Sequence, residues 1–553
     1  MESSASWRSL ALGSLSRTTF DILVIGGGIT GAGIAREGAL AGYSVALIER
    51  DDFAAGTSSR SSRLVHGGVR YLEHGHLHLV FESSRERRLL LQLAPHLVRP
   101  LAFTWPVYRG ARIPRWKLRA GLLAYDALAL FRNVHRHQGL NTAGVLGHEP
   151  ALSKDGLRGG ARYWDAATND SRLTLANIMA AADAGAVVLN HASVTGGLHS
   201  GMELNGVLVK DALSGQEFAV QARCIINATG PWSEATAALT GAGGDNHILG
   251  SAGTHVSVPR QRVGNRDAIT VISPLDGRVM FVLPGGQNAI IGTTEQPARR
   301  GPDQIRATIT DITYLLESVN RIFPFARLTP DDVISAWCGI RPLAMVRAGE
   351  SNAGSASREH AITRREDGLW SITGGKLTTY RVMAVDMLKH ARVTLGPTHA
   401  PASSVQSSEA TLLPGGDIIS REAVIAEAAA TVRDTAVGDR LGGTYGSHWR
   451  NVWSYAQRDP AMAERIMEGL PCLMAEVAHA VEREWACTMA DILVRRTQIA
   501  YETRDHGVAS ARRIASLMQT LLGWSDAERE NELSNYEKEA ARLFSIDEGR
   551  DPE

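Results

Sequence analysis

The chain has 553 residues, of which 44% are hydrophobic and 21% charged, a composition typical of a folded protein with about two to four domains. Its 58 Lys and Arg residues equal its 58 Asp and Glu residues, so the overall charge gives no reason to expect a nucleic-acid partner. Four widely spaced cysteines without a CxxC pair argue against a disulfide framework and fit a reducing compartment. No stretch has the roughly 18 apolar residues that a membrane span needs.

The beginning of the chain, MESSASWRSLALGSLSRTT, contains no long apolar run. We therefore expect residues 1–19 to be a disordered lead-in and no secretory signal. The next segment, FDILVIGGGITGAGIAREGALAGYSVALIER (20–50), predicts a buried strand, a glycine-rich turn, a helix over 29–40 and a second strand over 44–48.

The glycine-rich turn has the GxGxxG pattern, formed by Gly26, Gly28 and Gly31. The first glycine permits a tight turn, the second lets backbone approach a pyrophosphate, and the third lets helix pack on strand. Glu49 ends the second strand and is placed to accept hydrogen bonds from the adenosine ribose hydroxyls. An acid at this position disfavours NADP and leaves NAD and FAD.

The segment SSRSSRLVHGGVRYLE (58–73) is rich in serine and arginine and poor in core-forming residues. Its backbone and hydroxyl donors predict a loop that holds cofactor phosphates, although a plain loop is the alternative. The predicted cofactor contacts of this loop are Ser58, Ser59, Ser62, His66, Gly67 and Gly68. Arg60 and Arg63 are interpreted as solvated surface charges.

Alternating histidines follow in HGHLH (74–78). The segment continues into a helix predicted over 77–92, and no acid or Cys cluster accompanies it. We therefore predict no metal site here.

The segment RGARIPRWKLRAGLLAYDALALFRNVHRH (109–137) combines cations with a short apolar run over 121–131. The run is too short to span a bilayer, but it can dip into a headgroup layer while the flanking cations face anionic lipid. The alternative is an amphipathic helix that packs against the core.

Two later segments favour FAD over NAD. CIINATGPW (224–232) and GLWSITGGKLTTYR (368–381) each predict a short strand that returns to the nucleotide, as in two-dinucleotide-fold flavoproteins. A helix N-terminus after the second strand can face the part of the flavin where negative charge develops. The cofactor contacts predicted in these segments are Thr229, Gly230, Gly374, Gly375, Lys376, Leu377 and Thr378.

These patterns predict an α/β fold: a two-dinucleotide-fold FAD domain, an antiparallel-sheet substrate domain and a C-terminal helical domain. VMFVLPGGQNAIIGTTE (279–295) predicts an antiparallel hairpin. The predicted domains are a discontinuous FAD-binding domain over 20–95, 165–255 and 335–400, a substrate and membrane-facing domain over 96–164 and 256–334, and a helical domain over 401–553.

With these motifs in place, the sequence resembles the FAD-dependent glycerol-3-phosphate dehydrogenases of respiratory membranes. The resemblance covers about residues 20–500, and its HGGxRYLE and GGKxTTYR blocks together are highly specific. Glu37 and Ala41 depart from the aspartate and arginine usual in that family. The matching blocks are IGGGITGAGIA (25–35), SSRLVHGGVRYLE (61–73), CGIRPL (338–343), AITR (361–364), GGKLTTYRVMA (374–384) and MADILVRRT (489–497).

The resemblance implies a site for a small phosphorylated substrate. It implies that Arg70, Tyr71, Arg341, Arg364 and Lys376 bind the substrate and that His255, Arg341 and Lys376 act in catalysis. Imidazole titrates near neutral pH, which favours His255 as the base.

The resemblance implies oxidation of sn-glycerol 3-phosphate to dihydroxyacetone phosphate, with hydride transfer to FAD and electrons passed to a membrane quinone. An oxidase that uses oxygen, a flavin amine or amino-acid oxidase, and a non-enzymatic FAD-binding scaffold remain alternatives. The implied location is cytoplasmic, peripherally associated with the inner face of an anionic membrane. Whether the chain forms a homodimer stays open.

Overall fold

The computed structural model describes residues 4–241, 249–298, 300–343, 359–396 and 406–549. The strands are β1 (Thr19–Ile25), β2 (Val45–Ile48), β3 (Leu64–Val65), β4 (Arg99–Tyr108), β5 (Gln138–Leu140), β6 (Leu157–Ala167), β7 (Val187–Leu189), β8 (Ala192–Ser200), β9 (Glu203–Asp211), β10 (Glu217–Asn227), β11 (Leu249–Pro259), β12 (Ala268–Ile272), β13 (Val279–Gly285), β14 (Asn288–Gly292), β15 (Gln296–Pro297), β16 (Ser335–Leu343), β17 (His360–Arg364) and β18 (Trp370–Gly374).

The helices are α1 (Ser4–Arg17), α2 (Ile29–Leu40), α3 (Leu77–Leu93), α4 (Arg115–Leu128), α5 (Thr142–His148), α6 (Asp170–Asp183), α7 (Ser233–Thr240), α8 (Arg260–Val263), α9 (Ile309–Ile322), α10 (Tyr380–Leu395), α11 (Arg421–Val432), α12 (Thr435–Tyr445), α13 (Trp449–Arg458), α14 (Met474–Arg483), α15 (Ile499–Glu502), α16 (Val508–Leu522) and α17 (Asp526–Phe544). No helix in the described part of the chain is both long and apolar enough to cross a membrane.

The first sheet has the order β17-β18-β10-β1-β2-β7, with β8 and β9 attached through β10. The strands β18, β10, β1, β2 and β7 run parallel to one another. All four residues of β2 are buried, as expected for a parallel strand covered on both faces. Helix α2 joins β1 to β2, and its Gly33 lets Tyr380 of α10 pack against it. The predicted dinucleotide-binding core is confirmed.

The second sheet has ten strands in the order β15-β11-β14-β13-β12-β4-β6-β3, with β16 paired to β11 and β5 to β6. Apart from the parallel pair β4–β12, its pairs are antiparallel. The predicted hairpin is β13–β14. Strands β3, β11 and β16 lie in this sheet, although they fall mainly within ranges predicted for the FAD domain. These strands therefore carry the polypeptide between the two sheets.

The prediction of a disordered lead-in over 1–19 is wrong for the part that the structure describes. Residues Ser4–Arg17 form helix α1, and β1 already begins at Thr19. Leu15 is fully buried in the cluster behind the first sheet. Arg8 donates to the carbonyl oxygen of Asn190 at 2.9 Å and pairs with Asp211. Tertiary contacts thus stabilise a helix whose own residues, five of them serine, favour it weakly.

The C-terminal domain is helical, as predicted, and buried ion pairs join it to the first sheet. Asp52, four residues after the end of β2, accepts hydrogen bonds from Arg495 Nε at 2.6 Å and from Arg496 Nη1 at 2.5 Å. Both arginines lie in a π-helical segment, Asp491–Arg496. Arg172 of α6 forms a bidentate pair with Glu484, with both distances 2.7 Å. The C-terminal domain is therefore fixed directly behind the nucleotide-binding strands.

Candidate active site

A cavity opens at the C-terminal ends of β1, β2, β10 and β18, where the residues that follow each parallel strand meet. It has a larger compartment of about 370 Å³ and a smaller one of about 130 Å³. Residues of both sheets line it. The two compartments share the wall residues Ser62, Leu64, His66, Tyr71 and Arg341.

The glycine-rich turn forms one wall of the larger compartment. Gly26 has φ +109°, and a Cβ there would lie 2.8 Å from the carbonyl oxygen of Ala228. A Cβ on Gly31 would lie 1.9 Å from the carbonyl oxygen of Gly26. A Cβ on Gly28 would meet only Ser58 Oγ, at 3.3 Å, so Gly28 faces open space. The turn therefore leaves backbone exposed at the start of α2, and its shape fits a pyrophosphate.

Glu49 stands at the end of β2, on the wall of the same compartment. Its carboxylate accepts hydrogen bonds from the backbone N–H of Gly27 at 2.6 Å and of Asp51 at 2.8 Å. Burial, followed by the nearby charge of Asp51, raises the pKa of Glu49 to about 7. A ribose hydroxyl that donates to this carboxylate would favour its ionised form, so the position suits an adenosine ribose.

Most of the predicted cofactor residues meet at this compartment. Ser58 Oγ accepts from the backbone N–H of Ile29 at 2.9 Å, at the first residue of α2. Ser59 instead turns inward, where its hydroxyl donates to Gly56, and Gly67 packs beneath Tyr125, so neither lines the cavity. Gly68 lines only the smaller compartment. The predicted residues that line the larger compartment are Gly26, Gly28, Glu49, Ser58, Ser62, His66, Thr229, Gly230, Gly374, Gly375, Lys376, Leu377 and Thr378.

A contact between Trp232, Arg50 and Asp303 near Glu49 was not predicted from the sequence. Trp232 lines the larger compartment, and the guanidinium of Arg50 lies 5.1 Å from its ring centroid. Asp303, from a loop of the second sheet, accepts from Trp232 Nε1 at 3.1 Å and from Arg50 at 2.8 Å. The three residues connect the two sheets across one end of the compartment.

Predicted substrate residues gather where the compartments join. Lys376 Nζ lies 3.9 Å from the ring centroid of Tyr71 and donates to Ser83 Oγ at 3.1 Å. Arg341 Nη2 donates to Thr293 Oγ1 at 3.0 Å. Tyr71, Lys376 and Arg341 all line the larger compartment, and Tyr71 and Arg341 also line the smaller one.

The smaller compartment has aromatic walls and a cation that the sequence did not single out. Arg278 enters it from the loop before β13, and its Nη1 donates to the carbonyl oxygen of Glu295 at 2.7 Å. Together with Arg341 it places two guanidinium groups on one small space, an arrangement suited to a phosphate. The aromatic wall residues are Phe103, Trp105, Tyr163 and Phe281.

His255 lies on β11 at the wall of the larger compartment and is 2% exposed. Burial, with smaller contributions from the positive charges of Arg341 and Arg63, lowers its pKa to about 3. The imidazole is therefore neutral at ordinary pH and, in the empty cavity, a weak base. Its Nε2 lies 2.9 Å from Ser62 Oγ.

The structure does not bring Arg364 to the cavity. It is exposed at the far end of the β17–β18 hairpin from Gly374, and its guanidinium lies 5.7 Å from the Trp370 ring centroid. Its predicted contact with the substrate therefore has no support from its position. The side chain of Arg70 lies outside the described residues.

The interpretation of Arg60 and Arg63 as solvated surface charges is wrong, because both side chains are at least partly buried. Arg60 is 7% exposed and lines the larger compartment. Arg63 is half-buried, with its guanidinium 5.0 Å from the ring centroid of Tyr501.

Known proteins match this chain over nearly its whole length. Residues 21–381 match the FAD dependent oxidoreductase family, and residues 407–529 match the C-terminal domain of alpha-glycerophosphate oxidase. A glycerol-3-phosphate dehydrogenase of Synechocystis sp. is 35% identical over 94% of this chain and 96% of its own length. The human mitochondrial glycerol-3-phosphate dehydrogenase is 35% identical over 96% of this chain and 74% of its own length.

A solved structure extends the comparison to three dimensions. The glycerol-3-phosphate dehydrogenase from Bacillus halodurans, complexed with FAD, has a TM-score of 0.81 and 30% identity, and the match covers 100% of both chains. The FAD-bound L-alpha-glycerophosphate oxidase from Mycoplasma pneumoniae, 18% identical with a TM-score of 0.53, shares the fold over 67% of this chain. The two-sheet fold of this chain and its similarity to these proteins show that it belongs to the family of FAD-dependent glycerol-3-phosphate dehydrogenases.

Proposed function

We propose that the protein oxidises sn-glycerol 3-phosphate to dihydroxyacetone phosphate and passes the electrons to a membrane quinone. The observation that carries the proposal is the smaller compartment, which shares wall residues with the larger compartment and is lined by Arg278 and Arg341. Its volume of about 130 Å³ suits a small phosphorylated polyol. A carboxylate substrate would need fewer cations, which disfavours the amino-acid oxidase alternative.

Residues at the junction bind and orient the substrate in this proposal. Arg278 and Arg341 hold the phosphate, and the aromatic walls exclude water from the carbon skeleton. Lys376, held between Tyr71 and Ser83, lies where it can stabilise negative charge on the substrate oxygen. Bound FAD would accept the hydride from C2 of the substrate, and the turn at Gly28 and the residues after β18 would hold it.

His255 takes up the hydroxyl proton. The imidazole is neutral before the reaction, and the negative charge that develops on the substrate oxygen raises its pKa so that it can take the proton. The like charge of Arg341 returns the proton to solvent readily after the oxidation. His255 is thus the proton acceptor, Arg341 binds the phosphate, and Lys376 stabilises the substrate oxygen.

A surface around α4 supports the membrane part of the proposal. Its apolar side chains Trp116 and Leu123 are 72% and 56% exposed, and Phe131 just beyond the helix is 49% exposed. Exposed cations surround them: Arg112, Lys117, Arg119, Arg132 and Arg136. Tyr125, on the opposite face of α4, donates to Asp165 of the smaller compartment at 2.7 Å. A lipid surface on α4 would therefore lie close to the redox site, on the cytoplasmic side.

Anaerobic flavin bleaching tests the oxidation. Glycerol 3-phosphate should bleach the purified holoenzyme, while glycerol and amino acids should not. A short-chain quinone should then restore the colour faster than air does, and faster recovery in air would favour the oxidase alternative. Bleaching by an amino acid alone would refute the proposal.

Arginine variants test the phosphate assignment. Replacement of Arg278 by Ala should raise KM for glycerol 3-phosphate roughly ten- to a hundred-fold, because it removes a charge-assisted hydrogen bond of about 1.5–3 kcal/mol. Arg364→Ala is the matched comparison, since Arg364 is exposed and outside the cavity. A larger KM effect from Arg364 than from Arg278 would reinstate the prediction made from the sequence.

A further inference from the structure

Ser62 stands between His255 and the smaller compartment. Its Oγ lies 2.9 Å from His255 Nε2. Ser62 lines both compartments, whereas His255 lines only the larger one. A substrate held by Arg278 and Arg341 in the smaller compartment therefore meets the hydroxyl of Ser62 before it meets the imidazole.

The imidazole is held in one position by its neighbours. Trp337, paired with His255 across β11 and β16, stacks on it with ring centroids 5.5 Å apart and an interplanar angle of 7°. On its other neighbour strand, Gly292 leaves room for the ring, because a Cβ there would lie 2.3 Å from His255 Cδ2. With one face covered and the Nε2 edge turned to Ser62, the ring cannot swing toward the smaller compartment without losing both contacts.

The guanidinium of Arg63 lies near Trp337, the residue that stacks on His255. The guanidinium of Arg63 lies 5.7 Å from the Trp337 ring centroid and 5.0 Å from that of Tyr501. Ser62 and Arg63 are consecutive, so one short segment supplies both the hydroxyl at the Nε2 edge and the cation behind the stack. This segment holds Ser62 close to the ring.

We propose that Ser62 is a catalytic residue that relays the substrate proton to His255, an inference that rests on the proposed function. As the C2–H bond breaks and its electron pair leaves as hydride to FAD, the C2 hydroxyl proton passes to Ser62 Oγ. At the same time the original Ser62 proton passes to His255 Nε2. Ser62 ends unchanged, the substrate becomes a ketone, and His255 becomes an imidazolium. Trp337 and Arg63 are positioning residues for this relay.

The test measures the limiting rate of anaerobic flavin bleaching by glycerol 3-phosphate in a stopped-flow instrument. Ser62→Ala should lower this rate about a hundred-fold, at the lower end of the range for loss of general acid–base catalysis, with little change in the substrate concentration for half-maximal rate. Ser62→Thr retains a hydroxyl and should recover most of the rate. Ser59→Ala is the matched control, because the Ser59 hydroxyl donates to the carbonyl oxygen of Gly56 at 3.2 Å and Ser59 lines neither compartment.

A proton inventory separates a relay from a purely structural serine. The wild-type bleaching rate is measured in mixtures of light and heavy water. A plot of this rate against the deuterium fraction should be curved, because two protons move in the same step. A linear dependence in the wild type overturns the relay, even if Ser62→Ala fails to retain FAD. A Ser62→Ala rate within a few-fold of wild type also overturns it.

The same experiment distinguishes the two proposals. Wild-type holoenzyme that dithionite reduces but glycerol 3-phosphate does not would overturn the proposed function, and the relay with it. Normal wild-type bleaching together with an unaffected Ser62→Ala variant would overturn the relay alone.

Discussion

Asp52 is the residue whose replacement should most strongly loosen the C-terminal domain. It is fully buried and accepts from Arg495, from two nitrogens of Arg496 and from Asn190 Nδ2 at 3.0 Å. Asp52→Asn keeps the shape but leaves two buried guanidinium groups without that negative charge, and loss of one partner of a buried ion pair costs about 3–5 kcal/mol. Asp491 still neutralises Arg495, so we expect the lower end of this range.

The assay is urea denaturation followed by tryptophan fluorescence, with limited proteolysis to show which domain opens first. Asp51→Asn is the matched control, because the Asp51 side chain is 49% exposed and its partner Arg50 is at 3.1 Å. An exposed pair of this kind contributes about 0–1 kcal/mol. Equal losses of unfolding free energy in the two variants would refute the reasoning, as would proteolysis that begins in the first sheet for Asp52→Asn.

Three further predictions concern the cofactor, the membrane and pH. Gly28→Val should abolish FAD retention, since its side chain would fill the open space before the turn; a normal flavin content after purification would place the nucleotide elsewhere. Changing four exposed cations around α4 to Ser should release the protein from anionic vesicles yet spare turnover with a soluble dye, because each contributes about 1 kcal/mol near such a surface; unchanged sedimentation in low salt would contradict this. Burial raises the pKa of Glu149 to about 7, so the protonated carboxyl stabilises the fold at low pH and this stability is lost as pH rises from about 4.5 to 7. Between about pH 4.5 and 7 the free energy of unfolding of the wild type should therefore fall by up to about 3 kcal/mol more than that of Glu149→Gln. An equal fall in the two proteins would contradict the assignment. The four exposed cations are Arg112, Lys117, Arg132 and Arg136.

The sequence was most informative where a short pattern forms a local structure. The helix predicted over 29–40 has those bounds, and the turn at Gly26 lies where GxGxxG placed it. Here the glycine conformation, the strand and the helix are neighbours in the chain. Local stereochemistry alone therefore predicts them.

Contacts between distant segments could not be predicted in this way. Arg278 has no motif around it, and its place in the smaller compartment depends on how β13 packs against β4 and β6 through β12. The burial of Arg60 depends on Tyr501 and Gly339, both hundreds of residues away. Arg364 is the opposite case, since its motif matched while its side chain lies outside the cavity. The sequence pattern around a charged residue does not show whether its side chain faces water or a ligand.

The order of strands in the first sheet has a consequence for how the chain is made. Strand β1 is synthesised early, but it pairs with β10 through residues as distant as Ile25 and Asn227. Strand β10 pairs in turn with β18, at Trp370, which is synthesised later still. Until those partners leave the ribosome, β1 presents an unpaired apolar edge that can pair with other chains. The ion pairs of Asp52 form only when Arg495 and Arg496 arrive. We expect the newborn chain to need chaperone protection for most of its synthesis, and truncated forms that end before β18 to aggregate.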